Sequence, residues 1–158
     1  MPPAAMPTVT DAQIAAIVVA ANSADIENAK LAQSKSQNAE VKKFATLMMT
    51  DHGSVNDKAV ALVTKLGVTP EENETSRNLK SSQEAMRATL SGKSGAEFDA
   101  AYADNEVTYH QSVLDALDQT LIPSAQNAEL KQLLIDTRPA FVAHMDHAKQ
   151  LQAKVTAP

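Results

Sequence analysis

Residues 38–67, "NAEVKKFATLMMTDHGSVNDKAVALVTKLG", decide the fold. Within them Val41, Phe44, Met48, His52, Val55, Ala59, Leu62 and Leu66 recur at steps of three and four. That spacing lines side chains along one face of an α-helix. Asn38 can accept from the free N–H groups at the helix start, and Gly67, with Pro70 just beyond, ends it. An apolar line of this length is the inward seam of a helix in a bundle. It is interrupted once, by a histidine.

The pattern repeats on either side. Thr10 and Gln13 form a capping box opening a first helix from about Asp11 to Ser34, with Ile14, Val18, Ala21, Asp25, Asn28 and Ala32 facing inward. Residues 68–93 are more polar, and a thin edge of Leu79, Met86 and Leu90 predicts a shorter helix in the crossover. Ser94 and Glu97 suggest a second capping box and a helix from Gly95 to Leu121, after which Pro123 and Ser124 mark a turn. A last helix, Ala128 to Val155, carries Leu130, Leu134, Thr137, Phe141, His144, Ala148, Leu151 and Val155 inward; Pro139 should kink it, and the tail "KVTAP" should fray. The fold class is all-α: a four-helix bundle with an extra short helix between the second and third long helices. One domain spans residues 10–155, after a flexible Pro/Ala-rich leader at 1–9.

Composition agrees. The chain has 158 residues, 44% of them hydrophobic but 3% aromatic, with no Trp and four Gly. Ala, Leu, Val, Ile and Met must therefore build the core. The net charge is −5 and no basic stripe exists, which argues against nucleic acid as a partner. No apolar run approaches the ~20 residues that span a bilayer. Without Cys, thiol chemistry, disulfides and thiolate metal sites are excluded.

Five ionisable residues break the seams at one level: Asp25 on the first helix, His52 on the second, Glu106 and His110 on the third and His144 on the fourth. Each lies near the middle of its helix, and only midpoints coincide among antiparallel neighbours. Burying such groups singly costs several kcal/mol. A divalent metal resolves that cost, since imidazole nitrogen and carboxylate oxygen are the usual donors for zinc, iron, manganese or copper(II). The other resolution is a structural hydrogen-bond network that binds no metal. Zinc is the default ion, and iron or copper suits the same donors. Binding should fade below about pH 6 if the imidazoles titrate near their ordinary ~6.5.

Nearby residues admit weaker readings. His147 lies off the seam and reads as a partly exposed histidine, with an accessory ligand role as the alternative. Asp51 is either a carboxylate orienting a neighbouring histidine or a solvated acid. Tyr102 and Tyr109 flank the layer as packing or as hydrogen-bond donors. Met48, Met49 and Met145 lie near the same depth, where a thioether cluster would suit copper(I), although methionine is the usual filler of aromatic-poor cores. Glu27 reads as solvated.

The stretches "FATLMMTDHGSVND", "FDAAYADNEVTYHQSVL" and "RPAFVAHMDHAKQL" resemble the signature regions of an exported bacterial family, domain of unknown function 4142, over about Asp11 to Leu151. The resemblance implies a ferritin-like four-helix fold and a periplasmic or otherwise exported location. It carries the family's histidines onto His52, His110 and His144, and places Asp25 where the family usually has the longer glutamate. It implies no activity. A di-iron oxidase is disfavoured, because such bundles use Glu-x-x-His and none occurs in the chain. The readings in order are a metal-binding protein that sequesters, buffers or structurally carries its ion, then a stress-related structural or interaction module, then a metalloenzyme. Oligomeric state is left open.

Overall fold

The computed structural model describes residues 8–156, so the leader assigned to residues 1–9 lies outside it except for Thr8 and Val9. The described residues are all-helical, with no strand among them: α1 (Asp11–Lys35), α2 (Ala39–Lys65), α3 (Glu74–Ser91), α4 (Gly95–Ala116), α5 (Ile122–Ser124) and α6 (Ala128–Thr156), with a π-helical turn at Leu117–Leu121. They form a helical bundle in which α1 packs on α2 and α3, α4 packs on α6, and α2 closes against α6. None of these helices is long and apolar enough to cross a membrane.

Caps define most of the ends. Thr10 and Gln13 make the reciprocal capping box of α1, and the Asn38 side chain accepts from the N–H groups of Glu40 and Val41. Gly67, at φ +69°, supplies the left-handed turn that stops α2. Asp11 accepts from the N–H groups of Gln126 and Asn127, tying the start of α1 to the start of α6.

Three details differ from the sequence expectation. Ser94 makes no side-chain cap bond. Its expected partner Glu97 pairs with Lys93 at 3.1 Å, and Gly95 enters the helix at φ +58°. The third long helix does not stop before Pro123: the wide π turn carries the chain into α5, with Pro123 in its first turn, where a missing N–H is harmless. The last helix runs to Thr156 rather than fraying at Lys154, and it continues through an exposed Pro139.

Apolar packing is divided into two clusters. One gathers Ile14, Ile17, Tyr109, Leu117, Leu134 and Phe141 with their neighbours. The other gathers Ala32, Val41, Phe44, Met48, Phe98 and Leu151 with theirs. On α1, α4 and α6 the first cluster reaches Ala21, Tyr109 and Phe141, and the second takes over at Ala29, Ala103 and Ala148. The gap between them is the polar level.

Candidate metal centre

All five expected residues lie in that gap, and none is more than 2% exposed: Asp25, Glu106 and His110 at 0%, His52 at 1% and His144 at 2%. They form two overlapping sets that share His110, one of His52, His110 and His144, the other of Asp25, Glu106 and His110. In each set one ligand atom per residue lies within 4.8 Å of the others.

Each histidine has one ring nitrogen held by an acceptor. His52 Nδ1–H donates to Asn22 Oδ1 at 2.9 Å. His110 Nδ1–H donates to the backbone carbonyl of Glu106 at 2.8 Å, closing one helical turn. His144 Nε2–H donates to Asp51 Oδ2 at 2.8 Å. Those bonds assign the tautomers, because a carbonyl or carboxylate oxygen can only accept. The remaining nitrogens, His52 Nε2, His110 Nε2 and His144 Nδ1, are therefore the positions open to a second proton or to a metal. His144 Nδ1 has no protein partner at all.

Two of these atoms lie close to each other and to Asp25. His52 Nε2 is 3.4 Å from His110 Nε2 and 3.0 Å from Asp25 Oδ2. Two lone pairs and a carboxylate oxygen at such distances repel unless a cation lies among them, either a proton or a metal. Zinc bonds of ~2.0–2.1 Å in a tetrahedron set ligand atoms about 3.3 Å apart. The 3.4 Å separation matches that edge and the 3.0 Å one is slightly shorter. The outward N–H of each imidazole, held by an amide, a carbonyl or a carboxylate, is the arrangement that orients histidine ligands in metal sites.

Electrostatics separates the two carboxyl groups. Burial acts to raise the Asp25 carboxyl, but attraction and hydrogen bonding from His52, with His110 and Glu106 behind, outweigh it and hold Asp25 well below the usual range. Glu106 goes the other way: burial first, then the adjacent Asp25 charge and a hydrogen bond to Asp25, push it well above the ordinary carboxylate range. One proton thus stays on Glu106 while Asp25 is anionic. Glu106 Oε2 is 3.4 Å from His110 Nδ1, the nitrogen already bonded to a carbonyl, and so stands on the far side of that ring from the open Nε2.

Burial lowers His110 to about 4, with Asp25 opposing it and His52 adding to it. Burial also lowers His144, opposed by its bond to Asp51. His110 therefore stays neutral and ready to ligate well below pH 6, and His144 is shifted in the same direction, which moves the expected onset of proton competition downward. Burial first, and then the neighbouring Glu106 and Asp25 carboxyl groups, raise the Tyr102 phenol well above its usual value.

Of the residues with open readings, Asp51 joins the centre through His144, Tyr109 OH donates to the Ala21 carbonyl, and Tyr102 OH is buried without a partner. His147 is exposed and outside both sets. Met48 and Met49 pack in one apolar cluster and Met145 in the other, as filler. Glu27 is exposed and pairs with Lys30 at 3.1 Å. Asn22, Gln83 and Asn105 went unrecognised in the sequence. Asn22 had a signal, since it precedes Asp25 by three residues and so shares its helix face. Gln83 accepts from Asn28 Nδ2 at 2.8 Å and from Asn105 Nδ2 at 3.2 Å, pinning α3 to α1 and α4.

The fold and this site define a class: all-helical proteins with a buried histidine–carboxylate cluster whose residues could hold a metal ion. Within that class the chain belongs to the family Domain of unknown function (DUF4142), whose model matches residues 1–151. No curated protein and no solved structure matches it.

Proposed function

We propose that the protein binds one divalent transition metal, by default zinc, in the interior of a ferritin-like four-helix bundle formed by α1, α2, α4 and α6, with α3 as the crossover helix. His52, His110 and His144 supply nitrogens and Asp25 supplies the oxygen. The sequence pattern offered Glu106 beside Asp25 as a carboxylate donor. Its retained proton and its position beside the blocked nitrogen of His110 favour it instead as the neutral partner that steadies Asp25. Iron or copper(II) suits the same donors. The bundle is one domain over residues 10–155, exported to the periplasm, and it sequesters, buffers or carries the ion.

One observation carries this reading: His52 Nε2 lies 3.4 Å from His110 Nε2 and 3.0 Å from the Asp25 carboxylate, with His144 in the same histidine cluster, while one nitrogen of every imidazole is held by a protein oxygen. The rival, a structural network, needs a proton at His52 Nε2 in place of the metal. Elemental analysis of untagged protein, purified without a chelating column and then dialysed against zinc, separates them. The expected result is about one zinc per chain. No zinc above the level of a His52→Ala/His110→Ala double variant refutes the metal and leaves the proton.

A further inference from the structure

Between α1, α3, α4 and α6 lies a cavity of about 560 Å³, within the ~300–1,000 Å³ range of small-molecule sites. Its depth is apolar, built by Ile17, Val113, Leu117, Leu121 and Leu134. Exposed polar side chains rim it where α3 meets α4: Thr75, Asn78, Ser82, Thr108 and Ser112. Among the described residues, no charged side chain lines it. A carboxylate or ammonium group entering would lose its hydration and meet no counter-charge, so the lining selects a neutral occupant.

One donor in the wall is idle. Asn22 lines the cavity and is completely buried. Its Oδ1 is taken by His52, yet its Nδ2 has no acceptor. A buried amide N–H without a partner is destabilising, and a ligand oxygen pressed against this wall, which must yield slightly because the nitrogen has almost no accessible surface, corrects it.

We propose that this cavity binds a neutral lipophilic small molecule with an apolar chain or ring and one carbonyl-type oxygen, which accepts from Asn22 Nδ2. At about 30 Å³ per non-hydrogen atom, the volume of one water in the liquid, the space admits on the order of 15–20 such atoms. The inference does not rest on a bound metal. It does place the occupant one hydrogen bond from the centre, because the same Asn22 amide holds His52.

The test uses the full chain without added metal and the neutral fluorophore N-phenyl-1-naphthylamine. Saturable one-to-one binding is expected, with displacement by 2-nonanone and at least tenfold weaker displacement by nonanoate. Leu79→Trp and Val18→Trp start from half-buried wall positions, so the added ring enters the cavity rather than the packed core. Each should weaken the fluorophore more than tenfold with helical circular dichroism unchanged. Asn22→Leu should keep the fluorophore but lose about tenfold for 2-nonanone. No saturable binding, equal displacement by the anion, or binding indifferent to both Trp variants overturns the site. Unchanged 2-nonanone affinity in Asn22→Leu overturns the role of the amide. A dimer in sedimentation that the fluorophore dissociates assigns the cavity to a second copy of the chain and overturns the small-molecule reading.

Discussion

Acid should destabilise the metal-free protein through His110 in a way that one substitution removes. Burial holds this imidazole neutral down to about pH 4, whereas in the unfolded chain it takes a proton near 6.5. Between those values the unfolded state binds a proton that the folded state refuses, so stability is lost as pH falls through 6.5 and stops falling below 4. At ~1.36 kcal/mol per pH unit the loss amounts to about 3 kcal/mol, most of it by pH 4.5. His144, lowered in the same direction, adds to the fall. Glu106, raised, works against it, since its extra folded-state proton contributes stability as pH falls below its own folded value. Comparing wild type with His110→Gln isolates His110, because both proteins keep the other two groups. Urea unfolding of chelator-treated protein at pH 7.5, 5.5 and 4.5 provides the measurement. Wild type should lose about 2–3 kcal/mol more than the variant over that range. A difference under about 1 kcal/mol would show that His110 is not held neutral by its surroundings.

Zinc titrations test the remaining predictions. Asp25→Asn should weaken binding at least 100-fold while Glu106→Gln, which resembles the protonated acid, stays within about tenfold; the reverse order would give Glu106 the ligand role. His110→Ala should abolish tight binding and the exposed His147→Ala leave it within a few-fold, so loss of binding in His147→Ala alone would move the site to the surface. Asp51→Ala removes the acceptor that orients His144 and should weaken zinc by roughly 10- to 100-fold, and an unchanged affinity would make Asp51 a solvated acid. Wild-type affinity at pH 5.5 should remain within about tenfold of its value at pH 7.5, because His110 and His144 resist protonation; a 1,000-fold fall, the outcome for three ordinary imidazoles, would contradict that.

The helical frame was legible because its signals are periodic and local. The Thr10/Gln13 box, Gly67 and the seam from Val41 through His52 to Ala59 act within a few residues and stand where spacing placed them, although Val55 is only half-buried and burial near the end of α2 passes from Leu62 to Val63. The polar level was legible for the same reason: a histidine inside an apolar line announces its own burial. What could not be read were choices between partners distant in the chain. Asp51 bonds His144, 93 residues away, while its side chain stays part-exposed to water. Glu97 prefers Lys93 to the Ser94 cap. The unequal protonation of Asp25 and Glu106 comes from their proximity across α1 and α4, which no spacing within either helix encodes. The cavity was invisible, because a void is a property of packing and leaves no mark in periodicity.

The near-zero exposure of the five central side chains also sets a timescale. An ion lodged among them would be shielded from solvent and would leave faster when a helix swings aside. The cheapest such opening is at α3, whose buried side chains are Ser76, Gln83 and Leu90 and whose hold on α1 and α4 is largely polar. Local openings of weakly anchored elements require less than global unfolding. Residence time is then governed by how often α3 lifts rather than by the strength of the bonds to the ion. On the metal-binding reading proposed above, a chain built this way would work as a slow store, indifferent to brief swings in the surrounding metal level, and would hand over its ion only to something that can pry α3 loose.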